Sequence, residues 1–256
     1  MKLTIIGCSG SVPGPAAPAP CYLVEADGFR LVLDLGNGAL AALQARMSAF
    51  DIDALVFSHL HPDHCADFSA LAVLRRYHPR PPYPPEQRPL PVHGPSDTAR
   101  RFAAQYAPND AERQTTDFST VFDFHPLTGE TVQIGPLKVT SALVKHPCEA
   151  YGFRIEHDGQ SLVYSGDTAA CPALDGLAAG VDLLLAEATW TDLPTRPADM
   201  HMSGRQAGQT ACRAGAGRLM LTHVAPWTDP QVVLAEARGE FDGEVLLAEQ
   251  GRSYEV

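Results

Sequence analysis

Three histidines and an aspartate lie within one hexapeptide of the chain, a composition that suits a site for divalent metal ions. The apolar run 54–57 before them predicts a strand, so the hexapeptide would form a loop at the carboxyl end of that strand. In such a loop His59 and His61 can converge on one ion. Asp63 and His64 then turn toward a second. Isolated histidines are usually surface or core residues, but three in this register beside an aspartate indicate a metal site.

The second half of the chain repeatedly places a polar residue after an apolar run that predicts a strand. Segments that predict helices, at 171–178, 203–214 and 230–241, separate these strands. In layered α/β folds the carboxyl ends of strands form the edge that carries functional sites, so we expect the polar residues to meet the hexapeptide there. The residues concerned are His146, Asp167, Glu187 and His223.

Together these residues supply enough ligands for two metal ions. Each ion needs three or more nitrogen or oxygen ligands, and a carboxylate is the natural bridge because its two oxygens can face two ions. A water between the ions would lose a proton near neutral pH and act as the nucleophile, while the ions stabilise charge on a phosphoryl or acyl oxygen. Zinc is the first expectation, although manganese or iron fit the same ligands. We assign His59, His61 and His146 to one ion, Asp63, His64 and His223 to the other, and Asp167 to both as the bridge.

Three other stretches could support this site. The glycine- and serine-rich segment 7–11 fits neither a P-loop nor GxGxxG, and it forms either a tight turn over the site or a substrate contact through Ser9. Asp34, at the end of a predicted strand pair, is either a cap or a carboxylate that braces the histidine loop. The proline-rich segment 79–91 excludes a helix or central strand and favours a stiff connector, with a lid or dimer contact as the alternative.

The composition excludes several classes of protein. A chain of 256 residues with 45% hydrophobic residues can bury a real core, and no linker divides it, so we expect one domain over residues 1–256. Its net charge of -11 argues against a broad electrostatic grip on a long nucleic acid. Six dispersed cysteines without a CxxC pair, no signal peptide and no membrane span predict a soluble, cytoplasmic protein with reduced thiols.

The order of these motifs resembles the metallo-β-lactamase fold over nearly the whole chain. The resemblance rests on the hexapeptide, on His146, and on the stretches Ser165–Thr168 and Leu221–His223. It implies an α/β protein, a four-layer αββα sandwich built as a single domain, with two divalent metal ions at the site.

Within that superfamily, Glu187–Thr189 and His201–Ser203 resemble the ribonuclease Z-like phosphodiesterases rather than the lactamases. In that branch a histidine at the place of His201 contacts the phosphate and protonates the leaving oxygen, with support from a nearby carboxylate. An acid there is chemically sensible because an alkoxide leaves poorly without a proton. The alternative for His201 is a histidine that merely flanks a capped helix. The predicted catalytic residues are Asp63, His201 and, as the partner of His201, Glu187.

The chain departs from the tRNA 3'-processing enzymes of that branch in two places. Those enzymes carry a long flexible arm that grips tRNA between the counterparts of His146 and Asp167, whereas here only residues 147–166 intervene. They also carry an arginine where this chain has Trp227. The aromatic ring can stack on a base or simply pack, and Trp227 joins Ser9 as a predicted substrate contact.

Several stretches are similar instead to the atypical class II cyclic-AMP phosphodiesterases of mycobacteria. This resemblance implies hydrolysis of the 3' bond of a cyclic nucleotide to the 5'-monophosphate, and a homodimer, since the resembling families are commonly dimers. A small anionic substrate also suits an acidic chain with a dimetal site. The stretches, spread from end to end, are Ile6–Ser11, Arg75–Pro79, Gly94–Thr98, Tyr164–Thr168 and Pro226–Thr228.

Three classes of function follow. The favoured one is a metal-dependent cyclic-nucleotide phosphodiesterase acting on a small molecule, with no membrane partner. The second is a ribonuclease Z-like endonuclease acting on the 3' ends of tRNA. The third is a metal- or nucleotide-binding sensor without enzymatic activity, which is less favoured because all seven ligands and the acid are present. Lactamase or thioesterase chemistry ranks below these three.

Overall fold

The computed structural model describes residues 1–256 as fourteen strands and eight α-helices. The strands are β1 (Lys2–Gly7), β2 (Cys21–Ala26), β3 (Phe29–Leu33), β4 (Ala54–Val56), β5 (Leu90–Gly94), β6 (Phe122–Pro126), β7 (Thr131–Ile134), β8 (Leu137–Leu143), β9 (Tyr151–His157), β10 (Gln160–Tyr164), β11 (Leu183–Glu187), β12 (Arg218–Thr222), β13 (Glu244–Leu247) and β14 (Ser253–Glu255). The helices are α1 (Ala39–Gln44), α2 (Pro62–Cys65), α3 (Phe68–Tyr77), α4 (Thr98–Tyr106), α5 (Asp110–Thr115), α6 (Pro172–Ala178), α7 (Gly204–Ala214) and α8 (Pro230–Arg238). None of these helices combines the length and the apolar character needed to cross a membrane.

The strands form two seven-stranded sheets, each with a parallel part and an antiparallel part. The first sheet has the order β14-β1-β2-β3-β4-β5-β6, and the second has the order β13-β12-β11-β10-β9-β8-β7. Strands β3 to β6 are parallel to one another, and so are β10 to β13. The other neighbouring strands pair antiparallel. Each sheet therefore has a parallel half whose carboxyl ends meet at one edge.

Alternate residues of the inner strands pack on opposite faces of their sheets, as the two-residue period of a strand requires. In β11, Leu183 and Leu185 lie in the core between the sheets, whereas Leu184 packs against outer helices. In β2, Tyr22 likewise lies in the core between the sheets, and Leu23 packs against outer helices. Helices α1, α3 and α4 cover the first sheet, and α6, α7 and α8 cover the second. The predicted four-layer αββα sandwich is confirmed.

The parallel halves bring polar residues from distant parts of the chain to one edge. Strands β10, β11 and β12 are parallel neighbours, so Asp167 and His223 follow their strands on either side of Glu187. In the other sheet, β3 and β4 are parallel neighbours, and Asp34 and His59 follow them at the facing edge. The two edges together carry the candidate site.

Several predicted boundaries were wrong near this edge. The hexapeptide does not remain a loop, because its last residues form α2, with proline at the first helical position where its missing N–H costs nothing. The sequence predicts a helix over 66–77, whereas α3 begins at Phe68. It also predicts Ser96 as the cap of the next helix, but α4 begins at Thr98 and the Ser96 hydroxyl instead donates to a Glu149 carboxylate oxygen at 2.6 Å.

The proline-rich segment 79–91 is fastened to the body of the protein by Arg75 of α3. This arginine is 2% exposed, and its guanidinium donates to the carbonyl oxygens of Val121 and Arg88 and to the hydroxyl of Tyr83. A buried charge is costly unless its donors are satisfied, so these contacts fix the segment in place. This arrangement agrees with the interpretation of the segment as a connector.

Candidate metal centre

The first candidate metal-binding cluster consists of His59, His61 and His146. His59 and His61 lie in the loop between β4 and α2, and His146 follows β8, so two distant backbone segments meet here. Nε2 of His59 lies 3.0 Å from Nδ1 of His61, and Nε2 of His146 lies 3.1 Å from the same atom. Nitrogens that share a tetrahedral ion at about 2.0–2.1 Å lie about 3.3 Å apart. The cluster therefore has the spacing of a metal site.

The second cluster consists of Asp63, His64, Asp167 and His223, all of them buried. Nε2 of His64 and Nε2 of His223 are 3.2 Å apart. Oδ2 of Asp63 is 3.2 Å from Nε2 of His223. Oδ1 of Asp167 is 3.2 Å from Nε2 of His64. Two imidazoles and two carboxylates thus face one point, a donor set that divalent ions such as zinc, manganese and iron accept.

Asp167 lies between the two clusters with one oxygen toward each. Oδ2 is 3.7 Å from Nε2 of His59, and Oδ1 is 3.2 Å from Nε2 of His64. Oδ1 is buried and has no hydrogen-bond partner. A buried carboxylate oxygen without a partner costs free energy, and a cation beside it would offset that cost. The residues therefore fit a pair of ions bridged by Asp167.

Fixed hydrogen bonds orient the other ring nitrogen of four of these histidines. An imidazole whose Nδ1–H donates to an acceptor presents the lone pair of Nε2, the form that binds a metal. The four Nδ1 partners are Ser58 Oγ for His59 at 3.1 Å, Asp34 Oδ2 for His64 at 2.8 Å, the Met200 carbonyl for His146 at 3.0 Å and Thr189 Oγ1 for His223 at 2.7 Å. His61 is the exception, because its Nδ1 is the atom that faces the cluster.

The protonation states of the clusters follow from burial and from neighbouring charges. Burial lowers the pKa of His59 well below its usual value, and burial also lowers the pKa of His61 and of His146. Burial opposes ionisation of Asp167, but His223 and His64 outweigh it and hold the pKa of Asp167 well below its usual value. The first cluster thus offers neutral imidazoles and the second an ionised carboxylate, the forms that coordinate cations.

Asp34 braces the loop that carries the histidines. Its carboxylate is fully buried and accepts hydrogen bonds from the backbone N–H and the hydroxyl of Ser58, from Nδ1 of His64 and from the hydroxyl of Tyr164. The backbone of Asp34 has a positive φ of 57°, a conformation that costs energy for a residue with a side chain. Of the two interpretations of Asp34, the structure supports the bracing carboxylate rather than a cap.

His201 and Glu187 form a buried pair beside the clusters. Nδ1 of His201 donates to Oε1 of Glu187 at 2.8 Å. Glu187 is fully buried and also accepts from the backbone N–H of Thr168 and the hydroxyl of Thr189. Burial opposes protonation of His201, but the Glu187 carboxylate outweighs it and raises the pKa of His201 to about 9. In its protonated form His201 therefore carries a proton on Nε2, the nitrogen that does not face Glu187, and can donate it.

The two predicted substrate contacts lie outside these clusters. The hydroxyl of Ser9 donates to the carbonyl oxygen of Val12 at 2.7 Å, which is the geometry of a tight turn. This turn packs closely on His223, since a Cβ added to Gly10 would lie 2.1 Å from the His223 carbonyl oxygen. Trp227 is 65% exposed on the loop after His223. The structure thus gives Ser9 a turn contact and leaves the Trp227 ring open to solvent.

Sequence reasoning missed several residues that orient the site. Thr189 accepts from His223 and donates to Glu187 at 3.0 Å, so it connects the second cluster to the acid pair. Its position two residues after Glu187 was the available signal. The Met200 carbonyl and the Tyr164 hydroxyl also orient site residues, but a backbone carbonyl carries no signal in a sequence.

The chain belongs to the beta-lactamase superfamily, because the family model of the beta-lactamase superfamily domain matches residues 30–224. An uncharacterized protein of Mycobacterium leprae is 44% identical over 259 residues, covering 100% of this chain and 89% of its own. Ribonuclease Z of Mycolicibacterium gilvum is 32% identical over 254 residues, covering 90% of this chain and 86% of its own. The crystal structure of the metallo-beta-lactamase fold protein YhfI from Bacillus subtilis superposes with a TM-score of 0.86 at 27% identity, over 99% of both chains.

These similarities make the chain a metallo-hydrolase whose site binds divalent metal. The matched segment 30–224 contains both clusters and the His201 pair. The metal requirement of the superfamily agrees with the unpartnered Asp167 oxygen and with the orientation of the imidazoles.

Proposed function

We propose that this protein is a dinuclear-metal-dependent phosphodiesterase that hydrolyses 3',5'-cyclic nucleotides, cyclic AMP above all, to 5'-monophosphates. The observation that carries the proposal is the His201–Glu187 pair beside seven clustered ligands. Cleavage of a phosphodiester releases an alkoxide, which leaves poorly unless it is protonated. A thioester releases a thiolate, which leaves without such an acid.

The metal ligands have the following roles in the proposed hydrolysis. The seven ligands assigned above would hold two divalent ions. Divalent ions bound there supply Lewis-acid catalysis, stabilising charge on phosphoryl oxygens and acidifying water at neutral pH. Asp63 belongs to the second cluster, where its Oδ2 lies 3.2 Å from Nε2 of His223.

His201 completes the reaction at the leaving group. Water oxygen adds to phosphorus and releases one proton to solvent, the bond from phosphorus to the 3' oxygen breaks, and the proton on Nε2 of His201 passes to that oxygen. Glu187 holds Nδ1 and so keeps Nε2 as the donating nitrogen. The buried carboxylate also stabilises the imidazolium before the transfer. His201 then takes up a proton from solvent and returns to its protonated form.

Two features favour a small substrate over a tRNA. The segment between His146 and Asp167 contains only a short loop and the β9–β10 hairpin, without an added arm. The net charge of -11 disfavours a salt-sensitive grip on a long polyanion.

Ribonuclease Z-like processing of tRNA 3' ends is the second candidate. It is favoured by the similarity to ribonuclease Z of Mycolicibacterium gilvum, which covers most of both chains. The His201–Glu187 pair serves that reaction as well. A sensor without enzymatic activity is less favoured, because the seven candidate ligands lie in two clusters and the candidate acid lies beside them.

The leaving-group role of His201 can be tested with two substrates. We expect His201→Ala to lower kcat for cyclic AMP by about 10²–10⁴-fold. The same variant should hydrolyse bis(p-nitrophenyl) phosphate almost as well as the wild type, because p-nitrophenolate leaves without protonation. Metal content should stay unchanged, and the exposed His125→Ala serves as the control. An equal loss on both substrates would contradict the assignment of His201 as the acid.

A further inference from the structure

We propose that the nucleobase of the substrate binds in a cleft between the loops 190–197 and 227–229, stacked on Trp227. This inference rests on the proposed function and assigns the part of the site that selects the substrate. The cleft has a volume of about 390 Å³. Both tryptophans of the chain, Trp190 and Trp227, line it.

The exposed apolar side chains that line the cleft favour a ligand with an aromatic face. Trp227 is 65% exposed and Leu193, which also lines the cleft, is 57% exposed. Large apolar side chains grouped at one depression are a common mark of a binding site. Every nucleobase has a π face, so an exposed indole binds bases by stacking without needing a particular pattern of hydrogen bonds.

The cleft adjoins the reacting centre. The ring of Trp190 lies 5.4 Å from the ring of His201, measured between centroids. Thr228 lines the cleft and donates to the carbonyl oxygen of Thr189, whose own hydroxyl holds His223. His201 thus lies beside a residue that lines the cleft, and His223 is connected to the cleft through Thr189. A nucleotide has only a ribose between phosphate and base, so a phosphate beside His201 would leave its base within reach of the cleft.

Arg196 is the one lysine or arginine among the residues that line the cleft, which also include Asp229. Its Nε lies 3.5 Å from Oδ1 of Asp192, and its side chain is 21% exposed, so the guanidinium is held rather than free in solvent. A guanidinium plane stacks on bases and offers donors to their acceptor atoms. The cleft therefore offers a base a guanidinium face as well as an indole face.

Tryptophan fluorescence tests binding without any hydrolysis. In Trp190→Phe the only indole is Trp227, so its emission reports directly on the cleft. We expect 5'-AMP and adenosine to quench this emission, with excitation at the red edge where adenine does not absorb. Ribose 5-phosphate, which has no base, should leave the emission unchanged.

Steady-state kinetics on the metal-loaded enzyme provide the second readout. Base stacking on an aromatic side chain corresponds to about 5- to 150-fold in affinity. We expect Trp227→Ala to raise KM for cyclic AMP by that factor with kcat unchanged, and Trp227→Phe to restore most of the affinity. The matched control is Tyr77→Ala, since Tyr77 is 64% exposed on α3 and should behave as wild type.

The outcomes separate this inference from the proposed function. Cyclic AMP hydrolysis with an unchanged KM in Trp227→Ala, and no quenching by adenosine, would overturn the cleft while the function stands. Quenching by adenosine without hydrolysis of any cyclic nucleotide would support the cleft and contradict the function. Quenching by ribose 5-phosphate equal to that by 5'-AMP would also overturn the inference, because binding would then follow the phosphate.

Discussion

Asp167 couples the two candidate metal clusters more directly than any other residue. Its two oxygens face different histidines, and one of them is buried without a hydrogen-bond partner. Removing the carboxylate takes one candidate ligand oxygen away from each cluster. An effect on metal binding and on catalysis together is therefore expected.

We predict that Asp167→Ala abolishes turnover and lowers metal content. Substitution of a residue that hydrogen-bonds to a metal ligand typically lowers metal affinity or activity by about 10- to 100-fold. Substitution of a bridging ligand should lower them further. Metal content per chain is measured by elemental analysis after dialysis, with Asp175→Ala as the control because Asp175 lies on α6, where it pairs with Arg213 of α7. Full metal content and full activity in Asp167→Ala would show that the site is misassigned.

His93 makes folding stability depend on pH independently of the metal centre. It lies on β5 with its ring stacked on His125 at 4.8 Å. Burial, reinforced by His125, lowers the pKa of His93 from 6.5 to about 4. Above pH 6.5 both the folded and the unfolded chain hold a neutral ring, so this residue has no effect there. Between pH 6.5 and pH 4 only the unfolded chain takes up the proton, so stability falls with falling pH.

We therefore expect His93→Phe to reduce the acid destabilisation of the protein. Denaturant unfolding of the wild type and the variant should give a difference in unfolding free energy that changes steadily between pH 7 and pH 4, in favour of the variant. The exposed His78→Gln serves as the control. Parallel curves for the wild type and His93→Phe across this range would contradict the account.

At the scale of elements, the turn after β1 is a structural support of the metal centre. Gly10 lies against His223, and an added Cβ would lie 2.1 Å from the His223 carbonyl oxygen and 2.9 Å from its Nδ1. The neighbouring Gly10 N–H also donates to the carbonyl oxygen of Val224. A side chain at position 10 must displace either the turn or the strand end that carries His223.

We predict that Gly10→Ala lowers both stability and metal content. Overpacking of this kind typically costs about 1–3 kcal/mol of unfolding free energy. Gly176→Ala on α6 is the matched control, because nothing lies within 4 Å of its added Cβ, and it should be neutral or slightly stabilising. Thermal unfolding with and without a chelator, together with elemental analysis, measures both effects. Wild-type metal content in Gly10→Ala would mean that the turn does not position His223.

Much of the edge that carries the site could be predicted from the sequence, for a physical reason. His146, Asp167 and His223 each follow an apolar run, and strand ends converge in a layered fold. The support of these residues could not be predicted in the same way. Thr189 and Tyr164 reach the site through hydrogen bonds between distant segments, and such contacts leave no periodic pattern. The edge strands β13 and β14 were missed because they are short and their alternation is weak.

At the scale of the whole molecule, the substrate must suit an acidic protein whose attraction for anions is confined to the candidate metal site. The clustered metal ligands and His201 concentrate attraction for a phosphate at one edge of the sandwich, while the chain as a whole carries a charge of -11. A small phosphodiester meets only that edge. A tRNA would extend over the remaining surface, where the net charge opposes it.

The most direct test of the central claim offers cyclic AMP and a 3'-extended tRNA precursor side by side to the purified protein loaded with zinc or manganese, with Asp167→Ala as the control. The account predicts metal-dependent formation of 5'-AMP, no cleavage of the tRNA, and neither product with the variant. Cleavage of the tRNA alone would contradict it, and the enzyme would then belong with the tRNA-processing nucleases despite its acidic surface and its missing arm.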